Sequence, residues 1–331
     1  MARADLLKKL FSSFTNDDRE LFIKTAHEII DDERKKNHAI LADDLEMVLN
    51  GSKKNYRNTM HNMKTMISQN IDNDVRLVEF YYPDKYFEDM IIPKEKIVQF
   101  EEIIREFQNW DVLMCNGVTP TNKLLFYGPP GCGKTLCASA IAAEVGIPLM
   151  YVRYDALVSS YLGETASNIK KVFDLAKNES FVILFDEFDA IGRSRNDTTE
   201  HGEIKRVVNT FLQQIDNFKG RSIIIAATNF EQSLDYAIWR RFDDTIRFDL
   251  PSNEEKSQLF SLRLKQFNGP VQAFKTFLGC TSLFSYADIE NICKTIMRKC
   301  ILDGRRNYSK KDIEAAVEKQ KLLVSLRKSQ Y

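Results

Sequence analysis

Two hydrophobic rhythms divide the chain. Up to about residue 70 the apolar positions recur every three to four residues. Leu6, Leu7, Leu10, Phe11 and Phe14 form one set, Leu21, Phe22, Ala26, Ile29 and Ile30 a second, and Leu41, Leu45, Val48 and Leu49 a third. This is helical spacing. Thr15 or Asn16 offers a cap for the second helix, whose start carries Asp17, Asp18 and Glu20. Acids there meet the positive end of the helix dipole. Asn50-Gly51 ends the third segment as a turn signal. No proline occurs before Pro83. A small helical bundle is expected, followed over 51–75 by a polar linker rich in Asn, Lys and Met, with room for one more helix.

From residue 77 the rhythm changes. The stretch 77–82 reads as a strand, closed by Pro83. Near-continuous apolar runs follow at 124–127, 147–152, 181–185 and 223–227, with 245–248 as a fifth. Helical patterns separate them. Strands apolar on both faces and alternating with helices imply a parallel sheet covered on both sides. The expected fold is therefore α/β, with a parallel five-stranded sheet flanked by helices. Beyond Pro251 come three helix starts with capping-box spacing: Ser252 with Glu255, Ser285 with Asp288, and Ser309 with Asp312. The second of these helices should end near Gly304. The expected organisation is a helical domain plus linker over 1–75, an α/β unit over 76–250 and an all-helical piece over 251–331.

Composition narrows the class. Of 331 residues, 47 are Lys or Arg and 47 are Asp or Glu, so the formal net charge is zero. That argues against attraction of the whole surface to nucleic acid or an anionic membrane. No apolar run reaches the length of about 18 that a membrane helix needs. The start, MARADLLKKLFSSF, lacks the apolar core and cleavage site of a secretory signal. A cytoplasmic protein is expected. The six cysteines form no CxxC pair and only four His accompany them, so neither zinc nor a disulfide framework is expected.

Two motifs carry chemistry. Gly128-Pro129-Pro130-Gly131-Cys132-Gly133-Lys134-Thr135 fits G-x-x-x-x-G-K-[ST]. It follows a strand at 123–127 and opens a helix, expected at 136–145, that Gly146 ends. Glycines let the backbone bend so that its N–H groups surround a phosphate, and the helix N-terminus adds partial positive charge. Lys134 would reach the β- and γ-phosphates of a bound nucleotide, and the Thr135 hydroxyl would ligate Mg²⁺. Fifty residues on, the run 182–185 ends in Asp186-Glu187. An apolar strand thus delivers two acids at its C-terminal end, where α/β sheets bind ligands. Asp186 is the expected Mg²⁺ holder and Glu187 the base that polarises the attacking water.

On these motifs the chain resembles the AAA+ ATPases, and within them the AAA clade proper, from about Pro93 onward. Ala227-Thr228-Asn229 resembles the family's sensor-1 segment, which implies that Asn229 contacts the γ-phosphate or positions water. Leu234-Asp235 through Arg240-Arg241-Phe242-Asp243 is similar to the family segment whose two arginines act as fingers in the neighbouring subunit's site. A finger is worth about 10³–10⁵ in rate. Asp216-Asn217-Phe218 resembles an intersubunit-signalling element, with Asn where Gly is usual, and Arg206 stands where the family has an interface arginine. Tyr161 and Leu162, expected in a loop that precedes a helix over 166–177, match the aromatic–hydrophobic pair with which the family lines a central pore and grips polypeptide. A polar loop at 193–203, containing His201, reaches the same pore or lies on the surface. The resemblance further implies that 251–331 is a lid over the nucleotide, with Leu136 and Ala287 beside it.

One departure stands out. The family has Ser-Gly-Ala-Asp where its lid touches adenine, and here the residues are Ser285-Tyr286-Ala287-Asp288. Tyr286 either stacks on the base or crowds it. Cys132, at a helix N-terminus beside Lys134, is a tolerated small residue or, more sharply, a thiolate-prone one.

The resemblance implies a homo-oligomer, expected as a hexameric ring, that uses ATP and Mg²⁺ to remodel or thread a protein. The layout also resembles bacterial ATPases encoded beside a subtilisin-like serine protease in anti-phage and toxin–antitoxin systems. The chain itself carries neither HExxH nor GxSxG. No membrane or nucleic-acid partner is expected, because a ring threading nucleic acid wants Lys or Arg at 161–162. The alternatives are an AAA+ protein acting on nucleic acid and a nucleotide-driven conformational switch.

Overall fold

The computed structural model describes residues 6, 9, 12, 19–35, 77–153, 157, 162–177, 179–188, 201–230 and 236–328. The chain divides into two compact units, Met1–Val75 and Arg76–Tyr331. In the first, helix α1 (Arg19–Lys35) protects the expected stripe: Ile30 is buried, Leu21, Phe22, Ala26 and Ile29 are half-buried, and Ile23, Lys24 and His27 are exposed. Thr25, fully buried, satisfies its hydroxyl by donating to the Leu21 carbonyl at 2.7 Å. The third expected helix, at 41–49, lies outside the described residues.

The second unit runs β1 (Val78–Tyr81), α2 (Lys94–Gln108), α3 (Trp110–Cys115), β2 (Lys123–Tyr127), α4 (Lys134–Val145), β3 (Leu149–Val152), α5 (Leu162–Leu175), β4 (Val182–Phe185), α6 (His201–Asn217), β5 (Ile223–Thr228), α7 (Tyr236–Trp239) and β6 (Asp244–Arg247). Then follow α8 (Asn253–Arg263), α9 (Val271–Phe274), α10 (Tyr286–Leu302) and α11 (Lys310–Lys328). The strands form one sheet in the order β1-β3-β4-β5-β2-β6. All neighbours are parallel except β1 and β3.

The expected five-stranded sheet is thus a six-stranded one. The strand expected at 77–82 adds to the edge, antiparallel, with Val78 opposite Val152 and Tyr81 opposite Leu149. Its burial fades from Val78 to an exposed Tyr81, as befits a strand paired on one side only. The central strands β4 and β5 are buried along their whole length, which is why they read as unbroken apolar runs.

Polar groups lock the strand starts together, Asn122 and Ser222 buried and Asp243 at the surface. The Asp243 carboxylate accepts from the Asn122 and Lys123 amides at 3.0 and 2.9 Å, and Asn122 donates to the Ser222 carbonyl at 3.0 Å. One face of the sheet packs Phe100, Phe126 and Phe248 against the small residues Ala138, Ala140 and Ala142 of α4. The other face gathers Phe173, Phe185, Phe188 and Phe211, with ring centroids 4.7–5.9 Å apart.

The C-terminal helices have their own core, in which Phe260 stacks on Phe274 at 4.2 Å. All three expected capping boxes are present. Helix α10 stops where expected: Gly304 has φ +66°, a left-handed conformation that ends helices, and the Arg305 amide returns to the Cys300 carbonyl at 2.9 Å. Among the described residues no helix is long and apolar enough to cross a membrane.

Candidate active site

Strands β2, β4 and β5 are adjacent and parallel, so their C-terminal ends share one edge of the sheet. There a cleft of about 410 Å³ opens between the sheet and the C-terminal helices. Its floor is the loop after β2. Gly128 has φ +134° and sits so close to β6 that a Cβ would lie 2.0 Å from the Phe248 carbonyl oxygen. Gly131 and Gly133 also have positive φ, and a Cβ at Gly133 would meet nothing within 4 Å. The loop therefore faces open space at the start of α4. Helix α4 begins at Lys134, two residues before the expected start, with Gly133 as its cap. Its first residues line the cleft, which puts a helix N-terminus, an anion-binding feature, at the site.

Lys134 is buried, and its ammonium donates to the carbonyls of Gly128 and Pro129 at 2.7 and 2.9 Å. These two residues serve the cleft through Lys134, while Pro130, Gly131, Cys132, Gly133, Thr135 and Leu136 line it. The Thr135 hydroxyl donates to Asp186 Oδ2 at 2.7 Å, and the Glu187 amide donates to Asp186 Oδ1 at 2.9 Å. Two residues 51 positions apart in sequence thus present adjoining oxygens. Such a hard, all-oxygen donor pair suits Mg²⁺.

Glu187 has φ +51°, the only positive value at a non-glycine residue among those described. Strain of this kind persists where the surroundings enforce it and gathers at functional sites. Here the anchor is the next residue, whose amide donates to the Ala227 carbonyl at 2.9 Å while its ring, Phe188, is buried. Asn229, just past β5, lines the cleft beside Asp186 and Glu187.

The C-terminal helices close the other side. The Ala287 amide donates to the Gly131 carbonyl at 3.1 Å, so the start of α10 is pinned to the loop. Tyr286 lines the cleft and packs against both cores. Burial and the adjacent Glu255 carboxylate raise its phenol pKa. Several wall residues had no sequence signal. Met90, Ile91 and Ile92 precede α2 with no periodicity of their own. Arg263 and Glu290, joined at 2.6 Å, come from different helices. Only Pro93, the cap of α2, marked the neighbourhood.

Cys132 overturns its sharper reading. It is only 5% exposed, and burial pushes its thiol up to about 11. Desolvation outweighs the charge of Lys134, whose ammonium is held by the loop carbonyls. All six cysteines are free, and four of them are buried.

Arg240 and Arg241 stand outside the cleft lining. Arg241 meets Asp216 at 3.5 Å and donates to the Ala237 carbonyl at 2.8 Å, while Arg240 lies 4.5 Å over the Tyr236 ring. Arg206 is on α6, but its side chain lies outside the described residues, as does Tyr161. Helix α5 starts at Leu162, four residues before the expected 166, so Leu162–Thr165 is helical rather than loop. The Leu162 side chain is also undescribed. Likewise the loop expected over 193–203 ends earlier: His201 already begins α6.

Phosphate loop, paired acids and helical cover define the site of a P-loop nucleoside triphosphatase. Comparison with known proteins agrees. Residues 124–250 match the ATPase family associated with various cellular activities (AAA). The chain is 39% identical over 320 residues to the "Uncharacterized AAA family ATPase y4kL" of Sinorhizobium fredii, covering 96% of this chain and 95% of that one. It is 34% identical over 249 residues to a proteasome-activating nucleotidase of Sulfurisphaera tokodaii, covering 72% of this chain and 63% of the relative. A proteasome-activating nucleotidase of Saccharolobus solfataricus is 34% identical over 235 residues, 68% of this chain and 60% of its own length. The chain belongs to the AAA ATPase family and hydrolyses ATP.

Proposed function

We propose that the cleft binds ATP with Mg²⁺ and couples its hydrolysis to remodelling or threading of a protein substrate. The observation that carries the chemistry is the Thr135–Asp186 contact at 2.7 Å, at the mouth of a glycine cradle and next to Glu187. Lys134 exchanges its carbonyl partners for phosphate oxygens, and Glu187 takes the proton of the attacking water. Thr135 and Asp186 would hold Mg²⁺, which would supply charge neutralisation on the phosphates. Asn229 positions the water or the γ-phosphate.

Arg240 and Arg241 act on the neighbouring subunit's site, which makes the active form an oligomer, in our reading a hexamer. Their place outside this chain's own cleft supports that division of labour. A protein substrate is supported by the relatives named proteasome-activating nucleotidases and by the aromatic–hydrophobic pair Tyr161-Leu162 in the sequence. The helical unit 1–75 recruits substrate or partner, and 251–331 is the lid. The finer reading, work beside a separately encoded subtilisin-like protease in bacterial defence, rests on the layout of that helical block and a single ATPase module.

Tyr161→Ala tests the threading. Melting temperature and basal ATPase should stay near wild type while the cellular output is lost, because grip on a peptide is largely aromatic packing. A matched fall in all three would return Tyr161 to a core, and an unchanged output would remove the threading reading.

A further inference from the structure

Asp288 does more than cap α10. A capping box uses one carboxylate oxygen, and here Oδ2 accepts from the Ser285 amide at 2.9 Å and the Ser285 hydroxyl at 2.8 Å. The other oxygen is also taken. Oδ1 accepts from Gln320 Nε2 at 2.7 Å and from Arg327 Nη1 at 3.0 Å. Gln320 and Arg327 are seven residues apart, two turns on one face of α11. Asp288 and Gln320 are each 3% exposed, whereas the Arg327 side chain is 59% exposed, so Gln320 is the buried donor and Arg327 closes the site from the surface.

On its other side the same segment touches the phosphate loop. The Ala287 amide donates to the Gly131 carbonyl at 3.1 Å, and a Cβ at Gly131 would lie 2.7 Å from Ser285 Oγ. A continuous path of contacts thus runs from the last turns of α11, through Asp288 and Ser285, to the loop of the cleft.

We propose that Asp288 is a positioning residue through which the seating of α11 sets the nucleotide affinity of the cleft, with Arg327 and Gln320 as the groups that seat it. This rests on the reading of the cleft as a nucleotide site. A buried carboxylate oxygen that loses a donor is left less well satisfied, which costs free energy that a shift of the carboxylate can recover. Its other oxygen is already tied to the Ser285 amide and hydroxyl, so a shift of the carboxylate carries the Ser285–Ala287 turn with it and loosens the contact with Gly131. Binding then draws on a smaller population of seated lids, and apparent affinity falls by that fraction. Coupling is reciprocal: nucleotide that clamps Gly131 against Ala287 must also steady α11.

The test uses the full chain, a fluorescent ADP analogue with Mg²⁺, and amide hydrogen exchange. Arg327→Ala should weaken ADP binding at least fivefold, with the nucleotide-free melting temperature within a few degrees of wild type. Arg327→Lys should remain within twofold. ADP should slow exchange of the α11 amides in wild type and in Arg327→Lys, but not in Arg327→Ala. Gln320→Ala, judged by the same measures, stands in if Arg327→Ala fails to fold. The proposal is overturned if binding by the alanine variant stays within twofold of wild type. It is equally overturned if affinity falls only in step with melting temperature, or if ADP leaves α11 exchange unchanged in wild type. Failure of the cleft reading looks different: wild type itself would not bind the analogue, or Lys134→Ala would bind it as well as wild type.

Discussion

Gly128→Ala puts a steric argument to a quantitative test. At φ +134° an alanine is strained on its own account, by about 1–3 kcal/mol. Its Cβ would also sit 2.0 Å from the Phe248 carbonyl oxygen and 2.9 Å from its carbon, both backbone atoms. Relief requires the chain after β6 to move away. That motion threatens the 2.7 Å bond from the Phe248 amide to the Tyr127 carbonyl, worth about 1 kcal/mol. Together the cost is about 3 kcal/mol, or about 6–12 °C in melting temperature for a unit of this size. Gly146→Ala is the internal control. Its φ is +79°, but a Cβ there meets nothing within 4 Å, so only strain of about 1 kcal/mol remains, or about 2–4 °C. Differential scanning calorimetry of both variants reads the difference. If Gly128→Ala melts no lower than Gly146→Ala, the close approach of Gly128 to Phe248 is not the constraint described.

The C-terminal helices make a pH prediction. Asp312 is buried, and Arg305, with help from Lys299 and the Ser309 amide, holds its carboxyl well below the usual carboxylate range. A depressed folded-state value stabilises above the unfolded value of about 3.9 and is lost progressively below it. The melting-temperature gap between wild type and Asp312→Asn should therefore be full at pH 7 and narrow below about pH 4; a gap independent of pH would contradict the pairing. Catalysis across subunits predicts complementation. Arg241→Ala subunits keep a sound phosphate loop and Lys134→Ala subunits keep sound fingers, so mixed assemblies should hydrolyse ATP faster than the sum of the two alone. Native mass spectrometry must show that the mixture forms, and additive rates in proven mixtures would remove the role in trans.

What was legible in the sequence was local. Apolar runs marked the parallel strands because burial on both faces leaves no room for polar positions. Ser252, Ser285 and Ser309 marked helix starts because a capping box lies within four residues. The phosphate loop and Asp186-Glu187 were equally compact signals, and the structure brings them together through the Thr135–Asp186 bond. What depended on distant pairing was not legible. The edge strand β1 reads as a strand, but its antiparallel partner β3 lies some 70 residues away, and nothing in Val78–Tyr81 names it. Arg263 and Glu290 meet across two helices without a shared motif. Cys132 failed for a different reason: neighbouring charge is visible in sequence, whereas the burial that outweighs it is a property of the packed loop.

The central claim is that the cleft formed by Lys134, Thr135, Asp186 and Glu187 hydrolyses ATP with Glu187 as the base. Glu187→Gln tests it most directly, with ATP binding and phosphate release measured on the same preparation. Gln keeps the size and removes the proton acceptor, while Lys134, Thr135 and Asp186 stay in place. ATP affinity should stay within about threefold of wild type and turnover should fall by at least about 10²-fold. Turnover within about tenfold of wild type would contradict the claim.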